Sequence, residues 1–297
     1  MSVTASNRDS FDELITPYRS ELRAHCYRML GSVHDADDAL QDALLRAWRG
    51  LPRFEGRSSL RSWLYQIATN SCLRLIERQP RRVLPIDYGP PTDAHDEPAA
   101  PLVESVWLEP YPDEAVAESS AVPEARYEQR ESVELAFVAA LQHLPARQRA
   151  VLILRDVLGF SGAEVATTLD TSPEAVYSAL QRAHKTVDQQ LPEQSQQATL
   201  RSLGDARVKQ LVSNYVDAWE RGDIDAIVAM LTEEATIAMP PVPSWYTGIA
   251  QVRVFLARIP VSYTHLDVYK RQIQYAPSQG CGQGRLGRQP WRAQPFR

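Results

Sequence analysis

Proline sets how far a helix can run, and in this chain it is concentrated in one place. The stretch PIDYGPPTDAHDEPAAPLVESVWLEPYPDEAVAESS starts at Pro85 and is rich in Pro, Asp, Glu, Ala and Ser. Each proline ring removes an amide donor and crowds the preceding turn, so no long helix can cross this segment. A stretch of roughly 40 such residues is too long for an ordinary loop inside a compact domain. Residues 81–125 therefore read as a mostly irregular, acidic linker, with local structure around Val106, Trp107 and Leu108. The pattern on either side is helical, so the chain folds as separate modules.

From Phe11 to about Gln79, Leu14, Tyr18, Leu22, Cys26 and Leu30 recur mostly four apart and make one apolar stripe. Gly31 ends that helix. The next begins near His34 or Asp35, runs to Trp48 and stops before Leu51-Pro52. RFEGRSSL follows as a short loop, and Ser58 or Ser59 can cap the helix SLRSWLYQIATNSCLRLIER. Its buried side comprises Leu60, Leu64, Ile67, Ala68, Leu75 and Ile76. The middle helix carries Asp35, Asp37, Asp38 and Asp42 ahead of Leu44, Leu45, Ala47 and Trp48. Carboxylates near a helix N-terminus suit its dipole, and a charged face is commonly just a solvated one. Periodicity alone does not separate that reading from a partner surface.

The helical pattern returns from about Arg126 to Leu191. A helix spans Ser132 to His143, and Pro145 suits the start of another that continues through Arg155. Gly159 makes a turn, a short helix runs from Ser161 to Thr168, and a last one from Ser172 or Pro173 to about Val187. FSGAEVATTLDTSPEAVYSALQRAHKTV has helix-turn-helix spacing. Ala163, Val165 and Ala166 allow close approach, Leu169 fills the corner, Thr171 and Ser172 can cap, and Val176 and Leu180 face inward. Glu174, Tyr177, Ser178, Gln181, Arg182, His184 and Lys185 are left outward. Arg182 and Lys185 suit phosphate or guanine, and Gln181 and Ser178 suit base edges. A helical hairpin with a polar face is the plainer alternative. The agreement of turn, caps and face favours DNA.

The net charge of -5 does not announce a nucleic-acid binder. The charge is uneven, however. Asp87 to Glu134 is strongly acidic, opposed only by Arg126 and Arg130, and the remainder is net basic. Cys26, Cys72 and Cys281 show no CxxC and no paired spacing, which argues against zinc and a disulfide framework. MSVTASNRDSFDEL lacks the apolar core of a signal peptide. No run approaches the roughly 20 apolar residues of a membrane span. The expectation is a cytoplasmic protein with no membrane partner.

These motifs together resemble an extracytoplasmic-function sigma factor. YRMLGSVHDADDALQDALLRAW resembles the polymerase-binding part of sigma region 2. RFEGRSSLRSWLYQIATNSCLRLIERQ resembles the part that melts and reads the promoter −10 element. LPARQRAVLILRDVLGFSGAEVATTLDTSPEAVYSALQRAHKTV resembles region 4, which reads the −35 element. The resemblance implies that Asp37, Asp38, Gln41 and Asp42 face the largest polymerase subunit, while Leu44, Leu45 and Trp48 pack into the sigma domain. It places Phe54, Arg57, Ser58, Ser59, Arg61, Trp63 and Asn70 at the −10 element, with the loop Phe54–Ser59 capturing a flipped base. Tyr65 follows on the same helix, and Trp63 is open to either a core or a base-contact role. Arg53, Arg57, Arg61 and Arg74 would hold phosphates. The −35 element falls to Ser172, Glu174, Tyr177, Ser178, Gln181, Arg182 and Lys185. No catalytic residue, cofactor or metal is implied, because the polymerase does the chemistry.

Beyond region 4, VSNYVDAWERGDIDAIVAMLTEEATIAMPPVPSWYTGIAQVRVFL resembles the start of a SnoaL-like domain. This is a cone-shaped α+β fold that sigma factors of one subgroup carry as a regulatory appendage. Two helices flank Arg221-Gly222-Asp223, ATIAM is a strand, and QVRVFLARI is a helix. Asp217, Trp219, Glu234, Trp245 and Tyr246 would lie near such a cone's cavity, but no acid and base pair can be assigned. VSYTHLDVYKRQ (Val261 to Gln272) resembles a translated adaptor or assembly artefact, and the Gly-, Gln- and Arg-rich end lacks the alternating strands the sheet needs. The genuine sequence is expected to end near Pro260, and Arg285, Arg288, Arg292 and Arg297 are not read as a nucleic-acid patch.

The expected fold is mainly α. Two helical sigma domains, a region 2 bundle (1–80) and a region 4 helix-turn-helix (126–195), are joined by the linker. An incomplete SnoaL-like unit (203–260) and an artefactual or disordered tail (261–297) follow. Expected partners are core RNA polymerase and promoter DNA, with an anti-sigma factor or a small-molecule ligand of the C-terminal unit as further candidates. Two alternatives stand. One is a helix-turn-helix regulator that works without polymerase. The other is a ligand-binding or cyclase-like enzyme working through the C-terminal unit.

Overall fold

A computed structural model of the chain describes residues 11–102, 106–112, 133–191 and 196–258. A helical stretch at 11–18 leads into α1 (Arg19–Leu30), α2 (Val33–Gly50) and α3 (Leu60–Ile76). Gly31 stops α1 at φ 71°, a left-handed conformation that costs glycine little. A side chain there would also strike Leu108 of the linker. Ser32 accepts the Asp35 amide at 3.2 Å, so α2 starts slightly earlier than its charge pattern suggests. Ser59, rather than Ser58, caps α3 by accepting the Ser62 amide at 3.0 Å. Leu22, Cys26 and Leu30 of the α1 stripe are buried. Leu14 is not, being 39% exposed in the lead-in, off the axis of α1. The inner face of α2 is mostly alanine (Ala36, Ala39, Ala43, Ala47), which lets α1 and α3 approach closely.

His25 sits in this core with no exposure. Its Nε2 is 2.9 Å from the Thr69 hydroxyl and its ring meets Tyr65 edge-on. Burial, followed by the charges of Arg28 and Arg61, pushes its pKa down from 6.5 to about 3. An unfolded chain therefore takes up a proton below pH 6.5 that the fold excludes. The resulting loss of stability begins as pH falls below 6.5 and continues to about pH 3, at about 1.4 kcal/mol per pH unit. Chemical denaturation of a His25→Gln variant should show a shallower acid limb across that window than the parent chain.

The second module contains α5 (Leu135–Gln142), α6 (Ala146–Leu152), α7 (Gly162–Leu169) and α8 (Pro173–Asp188), with α4 reserved for the linker's short helix, Pro85–Tyr88. Pro145 precedes α6 as expected, but the α-helix does not continue through Arg155. Ile153–Val157 widens into a π turn, with the Leu158 amide reaching back to the Ile153 carbonyl at 3.0 Å. The wider turn delivers both Ile153 and Leu154 to the core, each fully buried. Ser161 and Glu164 form a reciprocal capping box on α7. Asp170 takes the corner at φ 51°, and Ser172 caps α8 by accepting the Ala175 amide at 3.2 Å.

The two modules are not independent bodies on a tether: their buried residues form one hydrophobic core. Arg149, 4% exposed, spans the junction. It donates to the Gln142 side chain at 2.5 Å and to the Gln142 and Leu144 carbonyls at 3.3 Å. It also reaches the Met29 carbonyl of α1. One guanidinium thus gathers the carbonyl ends of α1 and α5, where a cation is favoured.

The described part of the linker is irregular yet firmly attached. Val83 pairs with Trp107 in a parallel bridge, and Val106, Trp107 and Leu108 are buried. Arg82 binds Asp35 at 2.5 Å and the Trp107 carbonyl at 3.1 Å. Glu109 accepts the Val33 amide at 2.8 Å and the Ser32 hydroxyl at 3.0 Å. Residues 89–102 then cross the C-terminal unit. Trp245 Nε1 donates to the Gly89 carbonyl at 2.8 Å, the Thr92 amide to the Trp245 carbonyl at 2.8 Å, and the Ala99 amide to the Ser244 hydroxyl at 2.9 Å.

That unit comprises α9 (Gln196–Leu203), α10 (Asp205–Arg221), α11 (Ile224–Val228), β1 (Thr236–Ala238), β2 (Trp245–Thr247) and α12 (Ile249–Arg258). The strands are antiparallel, with Ile237 opposite Tyr246. Neither α9 nor β2 stands out in the sequence. Ala94 of the linker is part of this unit's core. The boundary at residue 260 and the tail lie outside the described residues.

Candidate nucleic-acid interface

Three surfaces carry the side chains singled out from the sequence. The first is the outer face of α2. Asp37 is clasped by Arg23 at 2.5 and 2.9 Å, and that bond holds its carboxyl below the usual range. Asp42 is taken by Arg46 at 2.7 Å and by the Ser71 hydroxyl at 2.8 Å, with its pKa lowered chiefly by Arg46. Asp35 is buried against Arg82. Asp38 and Gln41 remain exposed, and Asp38 has no ion pair among the described residues. Leu44 packs against the core, but Leu45 and Trp48 do not: they are 45% and 39% exposed. The reason is angular. Positions 38, 41, 45 and 48 fall on one helical face, opposite the buried alanines. An acidic, amide and apolar stripe thus runs the length of α2.

The second surface is the loop before α3 and the start of that helix. Phe54 and Trp63 pack with ring centroids 4.9 Å apart. Trp63 is half-buried, its ring close against Gly50, with one side on the core and the other on a cavity of about 380 Å³. Arg53, Arg57, Ser58 and Gln66 also line that cavity. Arg57 is exposed and paired with Glu55 at 2.5 Å. Asn70 is half-buried further along α3, and Arg74 is turned toward Asp42 and the Ser71 hydroxyl. Tyr65 is core, with no exposure. Arg61 is engaged inside the molecule, with its guanidinium 4.7 Å from the Phe160 ring centroid and 5.0 Å from that of Tyr65.

The third surface is α8. Val176, Ala183 and Val187 are buried, and Ser172, Glu174, Tyr177, Ser178, Gln181, Arg182 and Lys185 are all exposed. His184, on the same helix, is tied to Asp156 of the π turn. Gly162 makes room for the Tyr177 ring, which leans over the start of α7.

The C-terminal candidates do not gather in this way. Tyr246 is buried in the unit's core, and Trp245 holds the linker. Trp219 is half-buried against Tyr215, while Asp217 and Glu234 are exposed. Sequence reading missed Glu109, Arg82 and Arg149, each of which binds a partner distant along the chain: Ser32, Asp35 and Met29 respectively. Among the described residues, no helix is long and apolar enough to cross a membrane.

Residues 14–82 match the family profile Sigma-70 region 2, residues 134–187 match Sigma-70, region 4, and residues 212–276 match the SnoaL-like domain. The chain is 48% identical over 244 residues to the ECF RNA polymerase sigma factor SigG of Mycobacterium tuberculosis, covering 81% of this chain and 64% of that relative. It thus spans less than two thirds of that relative's length. It is 34% identical over 179 residues to SigM of the same organism, covering 60% of this chain and 76% of the relative. The crystal structure of Mycobacterium tuberculosis extracytoplasmic function sigma factor SigJ aligns over 83% of this chain and 74% of that one, with a TM-score of 0.50 and 23% identity, a likeness of fold.

Proposed function

The chain belongs to the extracytoplasmic-function sigma-70 family, and on that premise we propose that it binds core RNA polymerase in the cytoplasm and directs it to a promoter subset. One observation carries this reading over a regulator that binds DNA alone: the exposed stripe Asp38, Gln41, Leu45 and Trp48 on α2. A DNA-only regulator has no use for a bare leucine and tryptophan beside a carboxylate. A protein partner does, because aromatic anchors ringed by polar groups are what interfaces bury. Asp38 steers and orients docking on a basic partner. Asp37 and Asp42 hold α2 against α1 and α3 and shape the edge of the stripe.

The loop 54–59 with Trp63 is the −10 reader, and α8 is the −35 reader. On α8, Arg182 and Lys185 hold phosphate, and Ser178 and Gln181 face base edges. Replacing Arg182 or Lys185 by Ala should weaken −35 duplex binding across all sequences and lower the slope of log K against log salt by about 1 each. Gln181→Ala should instead alter the preferred base while leaving the slope unchanged. Fluorescence anisotropy over a salt series separates the two. We assign the C-terminal unit no catalytic role, since Tyr246 and Trp245 are committed to packing and to holding the linker. Its grip on residues 89–102 supports a regulatory one.

Transcription from a genomic fragment library with purified core polymerase tests the reading. Discrete transcripts that depend on the added chain support it. Failure to bind core polymerase overturns it.

A further inference from the structure

We propose that the cavity where the head of the linker meets the two helical modules is a binding site for a small phosphate-bearing ligand, whose phosphoryl group is held by Arg81 and Arg149. The site is distinct from the α2 stripe and from both promoter-reading surfaces, and it does not rest on their assignment.

The cavity holds about 300 Å³ between the ends of α1 and α3, residues 79–82 and the corner that joins α5 to α6. That is ample for a phosphate ion and falls at the lower end of small-ligand pockets, roughly 300–1,000 Å³. Leu30, Ile76 and Leu144 supply apolar wall, and Arg81, Arg82 and Arg149 bring three guanidinium groups to the lining. Only one of the three is matched by a carboxylate. Arg82 binds Asp35, with Glu109 3.7 Å away. Arg81 donates to His143 Nδ1 at 2.8 Å, and Asp87 stands 3.6 Å from Nε2 of that ring rather than on the guanidinium. Burial, followed by the charge of Arg81, lowers the His143 pKa and so keeps the ring an acceptor.

Arg149 is buried without a counter-ion. Its terminal nitrogens donate only to neutral oxygens, on Met29, Gln142 and Leu144. Its Nε–H is buried with no hydrogen-bond partner among the described residues. Burial, followed by the charge of Arg81, pulls its pKa down from 12.5 to about 10. Helix-end carbonyls offer a partial negative charge, yet a buried cation with no opposite charge is a costly arrangement. Arg81 and Arg149 thus bring two positive charges to one cavity with no carboxylate on either. That selects the ligand. A metal cation is repelled, a neutral molecule leaves both charges unmatched, and a monocarboxylate offsets one of them. A phosphoryl dianion offsets both, and its oxygens suit guanidinium forks.

The test is isothermal titration calorimetry of the full chain in magnesium-free chloride buffer at constant ionic strength. One arm uses inorganic phosphate and the other adenosine 5′-diphosphate. Arg81 is exposed, so Arg81→Gln removes a charge without opening the core. Arg78→Gln makes the same change at an exposed site outside the cavity and sets the electrostatic background. The expected result is saturable one-to-one binding that Arg81→Gln weakens by roughly tenfold or more, the loss of one charge-assisted pair. Arg78→Gln should stay within about twofold of the parent, because a solvated charge outside the site is screened. Phosphate should also raise the unfolding midpoint of the parent chain by mass action. Tighter binding of the diphosphate assigns the site to an organic phosphate, and equal or weaker binding assigns it to free phosphate. No saturable binding in either arm, or equal losses in the two variants, would overturn the site. Binding of a short single-stranded oligonucleotide that depends on Arg81, with none of either small ligand, would give Arg81 to a nucleic-acid backbone and overturn it as well. If Arg81→Gln loses helical circular dichroism, Ala146→Glu, which adds a carboxylate to the cavity wall, is read against the same outcomes.

Discussion

Core RNA polymerase should fail to retain an Asp38→Arg, Trp48→Ala variant. Trp48 is a large side chain left 39% exposed on a helix whose other face is closely packed. Buried in an interface, such an anchor is worth about 2 kcal/mol or more, roughly thirtyfold in affinity. Reversing Asp38 places a cation before a basic partner, which lowers the association rate and makes the loss strongly salt-dependent. The two changes together should weaken binding by a hundredfold or more, read as a dissociation constant by titration with labelled core enzyme. Neither side chain belongs to the core or to an ion pair among the described residues, so thermal stability should remain within about 0.5 kcal/mol of the parent. Leu45→Asp should act in the same direction. Retained affinity in both variants would remove the stripe from the docking surface.

Arg82→Ala should be the most destabilising single change outside the apolar core. The Arg82 side chain is 8% exposed and the Asp35 side chain 12%. Arg82 also donates to the Trp107 carbonyl and lies 3.7 Å from Glu109. Removing one member of a buried pair strands the other without a partner, at about 3–5 kcal/mol. Substituting both, as Arg82→Met with Asp35→Leu, should recover much of that loss, because the stranded charge disappears. Urea unfolding of Arg82→Met, of Asp35→Leu and of the double variant closes the cycle, with Arg82→Ala measured alongside. A single-variant cost near zero would show that water already reaches the pair.

Local rules read well from the sequence. Gly31, Ser59, Ser161 and Ser172 act as stops and caps, and the helix-turn-helix emerges with its exposed face intact. Each of these depends on residues within a turn of one another. What did not read was set by distance along the chain. The resemblance places Leu45 and Trp48 inside the sigma domain, yet both are exposed on the face of Asp38 and Gln41, opposite the buried alanines, because a resemblance carries a residue's type but not the face it takes. The linker's composition announces irregular backbone, but nothing local shows that Val83 will pair with Trp107 or that Ala94 will enter another unit's core. The packing of α7 on α3 depends on residues about a hundred positions apart. The same limit hid Arg149, whose acceptors come from the ends of two helices in different modules.

Glu109 adds a consequence for motion. Although burial opposes its ionisation, hydrogen bonds from His34, the Val33 amide and Ser32, with the charge of Arg82, hold its carboxyl below the usual range. That carboxylate supplies an acceptor for the opening turn of α2, and Tyr27 donates to its main-chain carbonyl at 2.7 Å. The opening turn of α2 and the linker segment at Glu109 therefore belong to one cooperative unit. When that stretch of linker lifts away, the helix loses its first-turn acceptor. Fraying at the end of α2 and release of the linker are then a single event with a single rate.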